Sequence, residues 1–305
     1  MLRVPLDLAG ILPPVATPFV DDEVDLAAMR ANCERWMRTG LRGVLLLGSN
    51  GEAPLIRDEE AVRVVAAARE AVPGDRVLLV GTGRQATRDV IALSRAVARE
   101  GADAVLVLTP SVYRNQLTPA TLAGHYRAIA DGSPVPVFLY NMPQATGVTL
   151  VPAIVQALAA HPNIAGIKES SGDVAVVADL AGRAPAGFPV VVGAAPSLYA
   201  SLMVGATGGI VAIANVFPEL CVRLYELTRA DRHDEALALQ RMITPLAAAV
   251  TTGFGVPGLK AAMALAGYRP GQPRRPLAPL DEEDRRTVRV LFETLSTRAE
   301  ALTVS

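Results

Sequence analysis

Residues 77–108 read VLLVGTGRQATRDVIALSRAVAREGADAVLVL and contain two short apolar runs, at 77–80 and 104–108. The first run is closed by Gly81 and is followed by a stretch with helical spacing. Continuous apolar runs, rather than alternating ones, are typical of parallel strands that helices bury on both faces. This stretch therefore predicts a strand, a helix and a second strand parallel to the first.

The same arrangement repeats along the chain. Helical patterns lie between the runs, such as the one that follows Thr118 as N-cap and Pro119 at the first helical position. Eight strand–helix units in about 220 residues match the size of a (β/α)8 barrel, whereas a doubly wound α/β sheet of eight strands is the weaker alternative. The eight predicted strands lie at 10–16, 43–47, 77–80, 104–108, 135–140, 164–167, 190–192 and 210–213.

The remainder of the chain is helical in pattern and adds no predicted strand. We predict that residues 1–218 form the barrel, and that residues 219–305 form its last helix and a C-terminal helical region packed on the barrel. Within that region, helices are expected at 231–250, at 257–267 and from 281 to about 297. No linker or low-complexity stretch separates the two parts of the sequence.

The composition of the 305 residues indicates a compact protein. Hydrophobic residues make up 51% and charged residues 19%, which is too apolar and too weakly charged for a disordered chain. The net charge of −1 lacks the basic surplus that nucleic-acid binding needs. Cys33 and Cys221 stand alone and the three histidines are far apart, so neither a disulfide framework nor a metal site is predicted.

The sequence also lacks the patterns of an export signal or a membrane span. Its first ten residues include Pro5 and Asp7, where a signal peptide needs an apolar run. Residues 184–217 carry no charge, but prolines and glycines divide them into pieces shorter than the roughly 20 residues of a spanning helix. We therefore expect a cytoplasmic protein with no membrane partner.

Three of the predicted strands end in unusual residues. In a barrel of this kind, the loops that follow the strands form the active face. The turn GSNGE at 48–52 could hold a small anion with its hydroxyl, amide and N–H groups, although by itself it is more typical of an ordinary turn. Tyr140 ends the fifth strand, where a packing role is the more common one.

The third unusual residue is Lys168, which follows the apolar run 164–167. The chain has only two lysines, Lys168 and Lys260, and arginine supplies the other 27 basic residues. An amine can lose its proton and attack a carbonyl to form a Schiff base, whereas a guanidinium stays protonated. Lys168 is thus a candidate nucleophile, with a strand-end lysine reaching into solvent as the alternative. Lys260 lies in a helical pattern and is interpreted as a polar-face or structural residue.

A competing motif follows the strand at 77–80. Gly81, Gly83 and Ala86 form a GxGxxA pattern that resembles a dinucleotide-binding fingerprint. That fingerprint requires an acidic residue at the end of the next strand, but the run 104–108 ends at Thr109 and Pro110. A tight turn between strand and helix explains these glycines instead.

Three motifs in order give the chain a specific resemblance: GSNGE at 48–52, YNMPQATG at 140–147 and GIKESSGD at 166–173. These motifs carry a resemblance, over nearly the whole chain, to the dihydrodipicolinate synthase and N-acetylneuraminate lyase family. The members of this family are Schiff-base pyruvate aldolases that have a (β/α)8 barrel. The resemblance implies that Lys168 forms the Schiff base and that Tyr140 transfers protons. It further implies that the substrate is bound by Ser49, Asn50, Gly51, Ser170 and Gly193.

The mechanism implied by this resemblance needs no metal and no organic cofactor. Lys168 forms an iminium with a small 2-oxo acid, and cleavage of the C3–C4 bond gives pyruvate and an aldehyde such as glyoxylate. The motifs look most like the 4-hydroxy-2-oxoglutarate aldolase branch, so 4-hydroxy-2-oxoglutarate is the expected substrate. The family also implies a homotetramer or a dimer.

Two positions depart from the family pattern. Ala145 stands where the synthases carry a carboxylate-binding arginine, and Val112 stands where the family usually has a tyrosine that reaches the neighbouring subunit's site. The sequence therefore leaves open a 4-hydroxy-tetrahydrodipicolinate synthase, a 2-oxo-3-deoxy sugar-acid aldolase or a dehydratase. A barrel that binds a ligand without catalysis is a further alternative.

Overall fold

A computed structural model describes Leu6 and residues 8–304, and its central feature is a barrel of parallel strands. Eight strands form the barrel and two short ones form a hairpin outside it. In chain order the strands are β1 (Gly10–Leu12), β2 (Phe19–Val20), β3 (Glu23–Val24), β4 (Gly43–Leu46), β5 (Val77–Gly81), β6 (Ala104–Leu108), β7 (Val137–Asn141), β8 (Ile164–Glu169), β9 (Val190–Val192) and β10 (Gly208–Ile210).

The barrel strands are hydrogen-bonded in the order β1-β10-β9-β8-β7-β6-β5-β4, and every pair is parallel. The chain just after β1 closes the ring on β4. Leu45 N–H donates to Pro13 O at 3.0 Å, and Val15 N–H donates to Leu45 O at 2.8 Å. The prediction of a (β/α)8 barrel is confirmed, and the doubly wound sheet is excluded.

Helices cover the barrel between its strands. Thr118 caps α4 as the sequence indicates, because its side chain accepts from Thr121 N–H. The helices are α1 (Leu26–Met37), α2 (Asp58–Ala71), α3 (Thr87–Arg99), α4 (Pro119–Gly132), α5 (Pro143–Thr146), α6 (Pro152–Ala159), α7 (Val174–Arg183), α8 (Leu198–Met203), α9 (Pro218–Arg229), α10 (His233–Ala248), α11 (Gly255–Leu265) and α12 (Glu282–Val304).

The structure corrects the ends of several predicted elements. The eighth barrel strand is Gly208–Ile210 rather than 210–213, because residues 212–215 coil into a 3-10 turn. The first strand ends at Leu12 rather than at residue 16. The hairpin of β2 and β3 was not predicted. Its turn residues Asp21 and Asp22 have φ of 49° and 67°, which aspartate tolerates better than most side chains.

Two apolar layers hold the barrel together. One lies between the strands and the helices, and the smaller one fills the interior with side chains such as Leu45, Leu79, Phe138 and Val191. Tyr140 belongs to the interior layer and closes it at the carboxyl end of β7. A packed interior leaves the mouth above Tyr140 as the place for a ligand.

The C-terminal helices α10, α11 and α12 contribute Ile243, Leu259, Met263 and Leu295 to the same outer layer as the barrel. The predicted division at residue 218 stays a prediction. Within the part of the chain that the structure describes, no helix combines the length and the apolar character needed to cross a membrane. In that part, too, no three His, Cys, Asp or Glu side chains form a group suited to a metal ion.

Candidate active site

Lys168 and Tyr140 lie side by side at the mouth of the barrel. They are register partners on β8 and β7, so both side chains leave neighbouring parallel strands at the same level. Lys168 Nζ donates to Tyr140 Oη at 3.3 Å and lies 4.4 Å from the centre of the tyrosine ring. Lys168 is only 2% exposed. The alternative of a lysine extended into solvent is therefore wrong.

The neighbours of Tyr140 lower the pKa of its phenol relative to that of a free tyrosine. Burial raises the pKa of the phenol, but the positive charge of Lys168 and a hydrogen bond to Ser49 outweigh it, so that the pKa lies below its ordinary value. Ser49 Oγ is 3.4 Å from Tyr140 Oη, which in turn donates to Met142 Sδ at 3.1 Å. Tyr140 is thus placed to exchange protons with Lys168 and with a bound molecule.

Ser49, Asn50 and Gly51 form a single 3-10 turn directly after β4. Ser49 and Asn50 line the cavity above Lys168, while Gly51 lies underneath. A Cβ on Gly51 would stand 2.9 Å from Val15 O, and Gly51 O accepts from Thr17 Oγ1 at 2.7 Å. Glycine at this position lets the turn sit close to the barrel.

Gly193 has no room for a side chain because Lys168 and Ser170 occupy that space. A Cβ on Gly193 would lie 1.9 Å from Ser170 Oγ and 3.0 Å from Lys168 Cε. Ser170 Oγ is buried and makes no well-formed hydrogen bond among the described residues, although it contributes to the lowered pKa of Tyr140. A hydroxyl of this kind at the wall of a cavity can bind a polar group of a ligand.

The main cavity has a volume of about 580 Å³, within the range of small-molecule sites. Of the described residues that line it, Lys168 is the one cation and none is acidic. The structure brings together most of the site residues expected from the sequence. The cavity is lined by Ser49, Asn50, Tyr140, Lys168, Ser170 and Gly193, together with Met142, Gln144, Ser171, Gly172, Ala194, Pro196, Ser197, Ile210, Ala212, Thr251, Thr252, Gly255 and Val256.

Some of these residues were missed by sequence reasoning. Thr251 and Thr252 reach the cavity from a π-helical segment, Ala249–Gly253, between α10 and α11. Such segments inside helical runs are often found at functional sites. Gly253 and Gly255 interrupt the helical pattern there, and this interruption was the available signal. Gln144 donates to Ser170 O at 2.6 Å and fixes the loop after β8.

Glu169 was also not singled out, although it braces the two strands that carry Tyr140 and Lys168. Its Oε2 accepts from Asn141 Nδ2 and its Oε1 accepts from Ser171 N–H, both at 2.6 Å. Asn141 and Glu169 are register partners one step beyond Tyr140 and Lys168. The brace therefore maintains the register that places Tyr140 beside Lys168.

The two departures from the family pattern lie away from the main cavity. Ala145, on α5, lines a second cavity of about 430 Å³ that shares Ser49, Tyr140 and Met142 with the first. Val112 and Tyr113 are 64% and 71% exposed.

Arg84, at the wall of the second cavity, is already paired with Asp58 at 2.8 Å.

The glycines of the GxGxxA pattern have a packing role. A Cβ on Gly81 would lie 2.0 Å from Leu47 O, and one on Gly83 would lie 2.9 Å from Leu108 N. Both glycines are needed because neighbouring strands approach closely at this point.

Comparison with known proteins agrees with this geometry. Residues 7–295 match the Dihydrodipicolinate synthetase family. The chain belongs to this family. Members of the family are lyases and aldolases that act through a lysine Schiff base, and this chain is an enzyme of that kind.

Relatives within the family carry different names at the same identity. A 4-hydroxy-tetrahydrodipicolinate synthase from Exiguobacterium sp. is 35% identical, over 89% of this chain and 92% of the relative. A protein from Emericella nidulans named "Probable 4-hydroxy-2-oxoglutarate aldolase, mitochondrial" is also 35% identical, over 93% of each chain. Family membership therefore leaves the substrate undecided.

A solved structure within the family contains a ligand. It is a prophage protein of the dihydrodipicolinic acid synthase family from E. coli K12 in complex with pyruvate. It is 30% identical to this chain, with a TM-score of 0.89, and the match covers 95% of this chain and 99% of that one. The barrel with its C-terminal helices is thus the architecture of the family.

Proposed function

We propose that Lys168 forms a Schiff base with a 2-oxo acid and that the enzyme cleaves a 4-hydroxy-2-oxo acid to pyruvate and an aldehyde. The observation that carries this proposal is the contact of Lys168 Nζ with Tyr140 Oη, at 3.3 Å on the floor of the main cavity. It places the one amine of the cavity beside the group best suited to exchange a proton with it.

The first half of the reaction builds the imine. Tyr140, with its lowered pKa, accepts a proton from the Lys168 ammonium, and the neutral amine attacks the C2 carbonyl of the substrate. Tyr140 returns this proton to the hydroxyl of the resulting carbinolamine, which leaves as water and gives an iminium. The iminium carbon is C2, which is bonded to C3, so the iminium can accept the electron pair of the C3–C4 bond.

The second half breaks the carbon–carbon bond. Tyr140 accepts the proton of the 4-hydroxyl, the C3–C4 electron pair moves toward the iminium, and an aldehyde leaves. The remaining enamine is protonated at C3. Water then attacks C2 and releases pyruvate, which restores the amine of Lys168. In this scheme Ser49 and Asn50 bind the C1 carboxylate, while Gly51, whose N–H donates to Gly48 O at 3.0 Å, supports the turn from below.

Ser170 and Gly193 complete the proposed substrate site. Gly193 leaves the space in which the Lys168 side chain and the Ser170 hydroxyl lie. The Ser170 Oγ, which makes no well-formed hydrogen bond within the protein, can bind a hydroxyl or an oxygen at the distal end of the substrate. These roles rest on the geometry of the cavity and on the family's motifs.

For the substrate, we propose 4-hydroxy-2-oxoglutarate or a close analogue in preference to condensation of pyruvate with aspartate semialdehyde. Ala145 supplies no guanidinium, and a hydrogen bond to a charged group contributes roughly 1.5–3 kcal/mol. A loss of that size would slow the synthase reaction by about 10- to 100-fold. Values of kcat/KM for the two reactions, measured side by side, test this preference.

Other acceptors keep the same lysine chemistry. The main cavity offers no cation besides Lys168 among its described residues, so a neutral aldehyde, as in a sugar-acid lyase, is the second candidate. A dehydratase would eliminate water from the same imine, and analysis of the products for an aldehyde separates it from an aldolase. The synthase reaction stays a further alternative, since relatives carry that name.

Trapping with borohydride tests the Schiff base itself. In the presence of pyruvate, borohydride is expected to add one reduced pyruvyl group, and peptide mapping is expected to place it on Lys168. Lys168→Arg is the matched control and should give no adduct. An adduct on Lys260, or none in the parent protein at saturating pyruvate, would overturn the proposal.

The remaining expectations concern the setting of the enzyme. A homotetramer or a dimer, a cytoplasmic location and the absence of a metal or organic cofactor stay predictions. In the scheme above, the protein's own amine and phenol carry each step.

A further inference from the structure

Glu52, the last residue of GSNGE, lies directly under the turn that carries Ser49 and Asn50. Its side chain is buried, and its backbone is left-handed, with φ of 57°. The carboxylate forms an ion pair with Lys260 Nζ at 2.6 Å, and its Oε2 accepts from Arg274 N–H at 2.8 Å. The turn is therefore connected to two segments of the C-terminal region.

Lys260 connects the same turn at a second point. It is 3% exposed on α11 and also donates to Thr17 O and Gln272 O, each at 2.8 Å. The ammonium thus has two backbone oxygens and one carboxylate around it. Thr17 in turn donates through Oγ1 to Gly51 O, so the Lys260 ammonium contacts the turn both directly and through Thr17.

The helix that carries Lys260 also forms part of the cavity. Gly255 and Val256, in the first turn of α11, line the wall. Ser49 and Asn50 belong to the turn that Lys260 anchors. The amino end of α11 thus lines the cavity. About one helical turn further along, Lys260 of the same helix contacts the loop that carries Ser49 and Asn50.

We propose that Glu52 and Lys260 are positioning residues, which hold Ser49 and Asn50 where they bind the substrate carboxylate. This inference rests on the proposed function, because it assigns that turn to the carboxylate. A buried ion pair contributes little net stability but can fix one geometry among several. A displacement of about 1 Å in a binding group can cost a large factor in activity. Loss of the Glu52–Lys260 ion pair should therefore lower the affinity for the substrate by a larger factor than it lowers the rate of C–C bond cleavage.

The test measures the pyruvate concentration that gives half-maximal borohydride adduct on Lys168. Glu52→Gln keeps the size and an acceptor oxygen but removes the charge, whereas Glu52→Ala removes both. We expect Glu52→Ala to raise this concentration about tenfold or more, and Glu52→Gln to raise it by a smaller factor. The adduct at saturating pyruvate should match that of the parent, and KM for cleavage should rise more than kcat falls.

Arg69→Met is the control for a loss of stability alone. It breaks the ion pair of Arg69 with Asp103, 3.2 Å apart, at the opposite end of the barrel. We expect it to lower the melting temperature and to leave the half-saturating pyruvate concentration unchanged.

The outcomes separate this inference from the function on which it rests. If both Glu52 variants have the same half-saturating pyruvate concentration as the parent, the positioning role is wrong. The proposed Schiff base on Lys168 is not affected by that result. A parent protein without adduct overturns the proposed function itself. If Glu52→Ala does not fold, the nearly isosteric Glu52→Gln decides the matter. A loss of kcat at unchanged KM in either variant also contradicts the inference.

Discussion

The two lysines of this chain occupy two buried sites with opposite electrostatics. Lys168, at the barrel mouth, has a tyrosine hydroxyl as its partner and no acidic residue among the described residues of its cavity. Lys260, on α11, lies against the carboxylate of Glu52 and two carbonyl oxygens. Burial lowers the pKa of Lys260, and the charge of Glu52 partly offsets that effect.

On the proposed function, this difference separates a reactive amine, Lys168, from a structural one, Lys260. An amine becomes a nucleophile when it can lose its proton, and a carboxylate partner opposes that loss. The Lys260 ammonium lies against a carboxylate and two carbonyl oxygens, whereas Lys168 lies beside a phenol that, on the proposed function, accepts its proton. Burial alone therefore does not identify a Schiff-base lysine. The group that lies beside the amine decides whether the lysine is a candidate nucleophile.

The largest expected effect is on catalysis at Lys168. Lys168→Arg keeps a positive charge at the barrel mouth but supplies no amine, so turnover should fall to the uncatalysed level. A steady-state assay of pyruvate release checks this outcome. Substantial turnover in Lys168→Arg would place the nucleophile elsewhere and remove the contrast between the two lysines.

Lys260→Met should have its main effect on stability. It leaves the Glu52 carboxylate buried and unpaired, which destabilises by about 3–5 kcal/mol in comparable cases. The free energy of unfolding from urea titration measures the change. The double variant Glu52→Gln with Lys260→Met removes both charges and should regain part of the loss. Equal stability of Lys260→Met and the parent would mean that the ion pair is dispensable.

Tyr140→Phe should separate imine formation from cleavage. Removal of a proton-transferring group typically costs 10²- to 10⁴-fold, and we expect a loss of about 10² or more in turnover. The adduct with pyruvate and borohydride should still form on Lys168, although more slowly. If Tyr140→Phe cleaves its substrate at the parental rate, then Tyr140 is a packing residue.

The lowered pKa of Tyr140 predicts the pH dependence of cleavage. The phenolate persists to lower pH than that of a free tyrosine, and below its pKa the fraction of base falls tenfold per pH unit. The rate should therefore fall on the acid side of that pKa. The residual activity of Tyr140→Phe should lack this limb. An identical acid limb in both proteins would assign it to another group.

The smallest expected effect is a gain in stability. Lys168→Met replaces a buried amine that has no carboxylate partner with an apolar side chain of similar length beside the interior layer of the barrel. We expect a rise of about 1 kcal/mol in the free energy of unfolding, since functional sites are often built at a cost in stability. Thermal unfolding compared with the parent tests the sign. A loss of stability would mean that the Lys168–Tyr140 contact stabilises the fold.

Much of the fold could be predicted because apolar runs of parallel strands are short, continuous and closed by turn residues. The eighth strand was misplaced for a physical reason. Gly208 and Gly209 suggest a turn, but here they allow β10 to lie close to the backbone of β1, where a Cβ on Gly208 would stand 2.3 Å from Gly10 O. The apolar run that follows forms the 3-10 turn instead.

The sequence predicts those parts of the candidate site that lie at the ends of strands. It does not predict the parts that depend on contacts between residues far apart in the chain. Tyr140 and Lys168 end neighbouring strands, so the barrel topology alone brings them together. The sequence gives Lys260 no visible partner, because Glu52 precedes it by most of the chain and the two meet only through the packing of α11. Thr251 and Thr252 were missed for the same reason.

The burial of both lysines has a consequence for the chemistry of the protein's surface. The part of the surface that the structure describes carries arginine as its basic side chain and no lysine. An aldehyde released from the cavity would meet no exposed lysine amine there, and a protonated guanidinium does not form the same imine. On the proposed function, the enzyme therefore resists glycation of its side-chain amines by its own product and confines imine formation to the cavity.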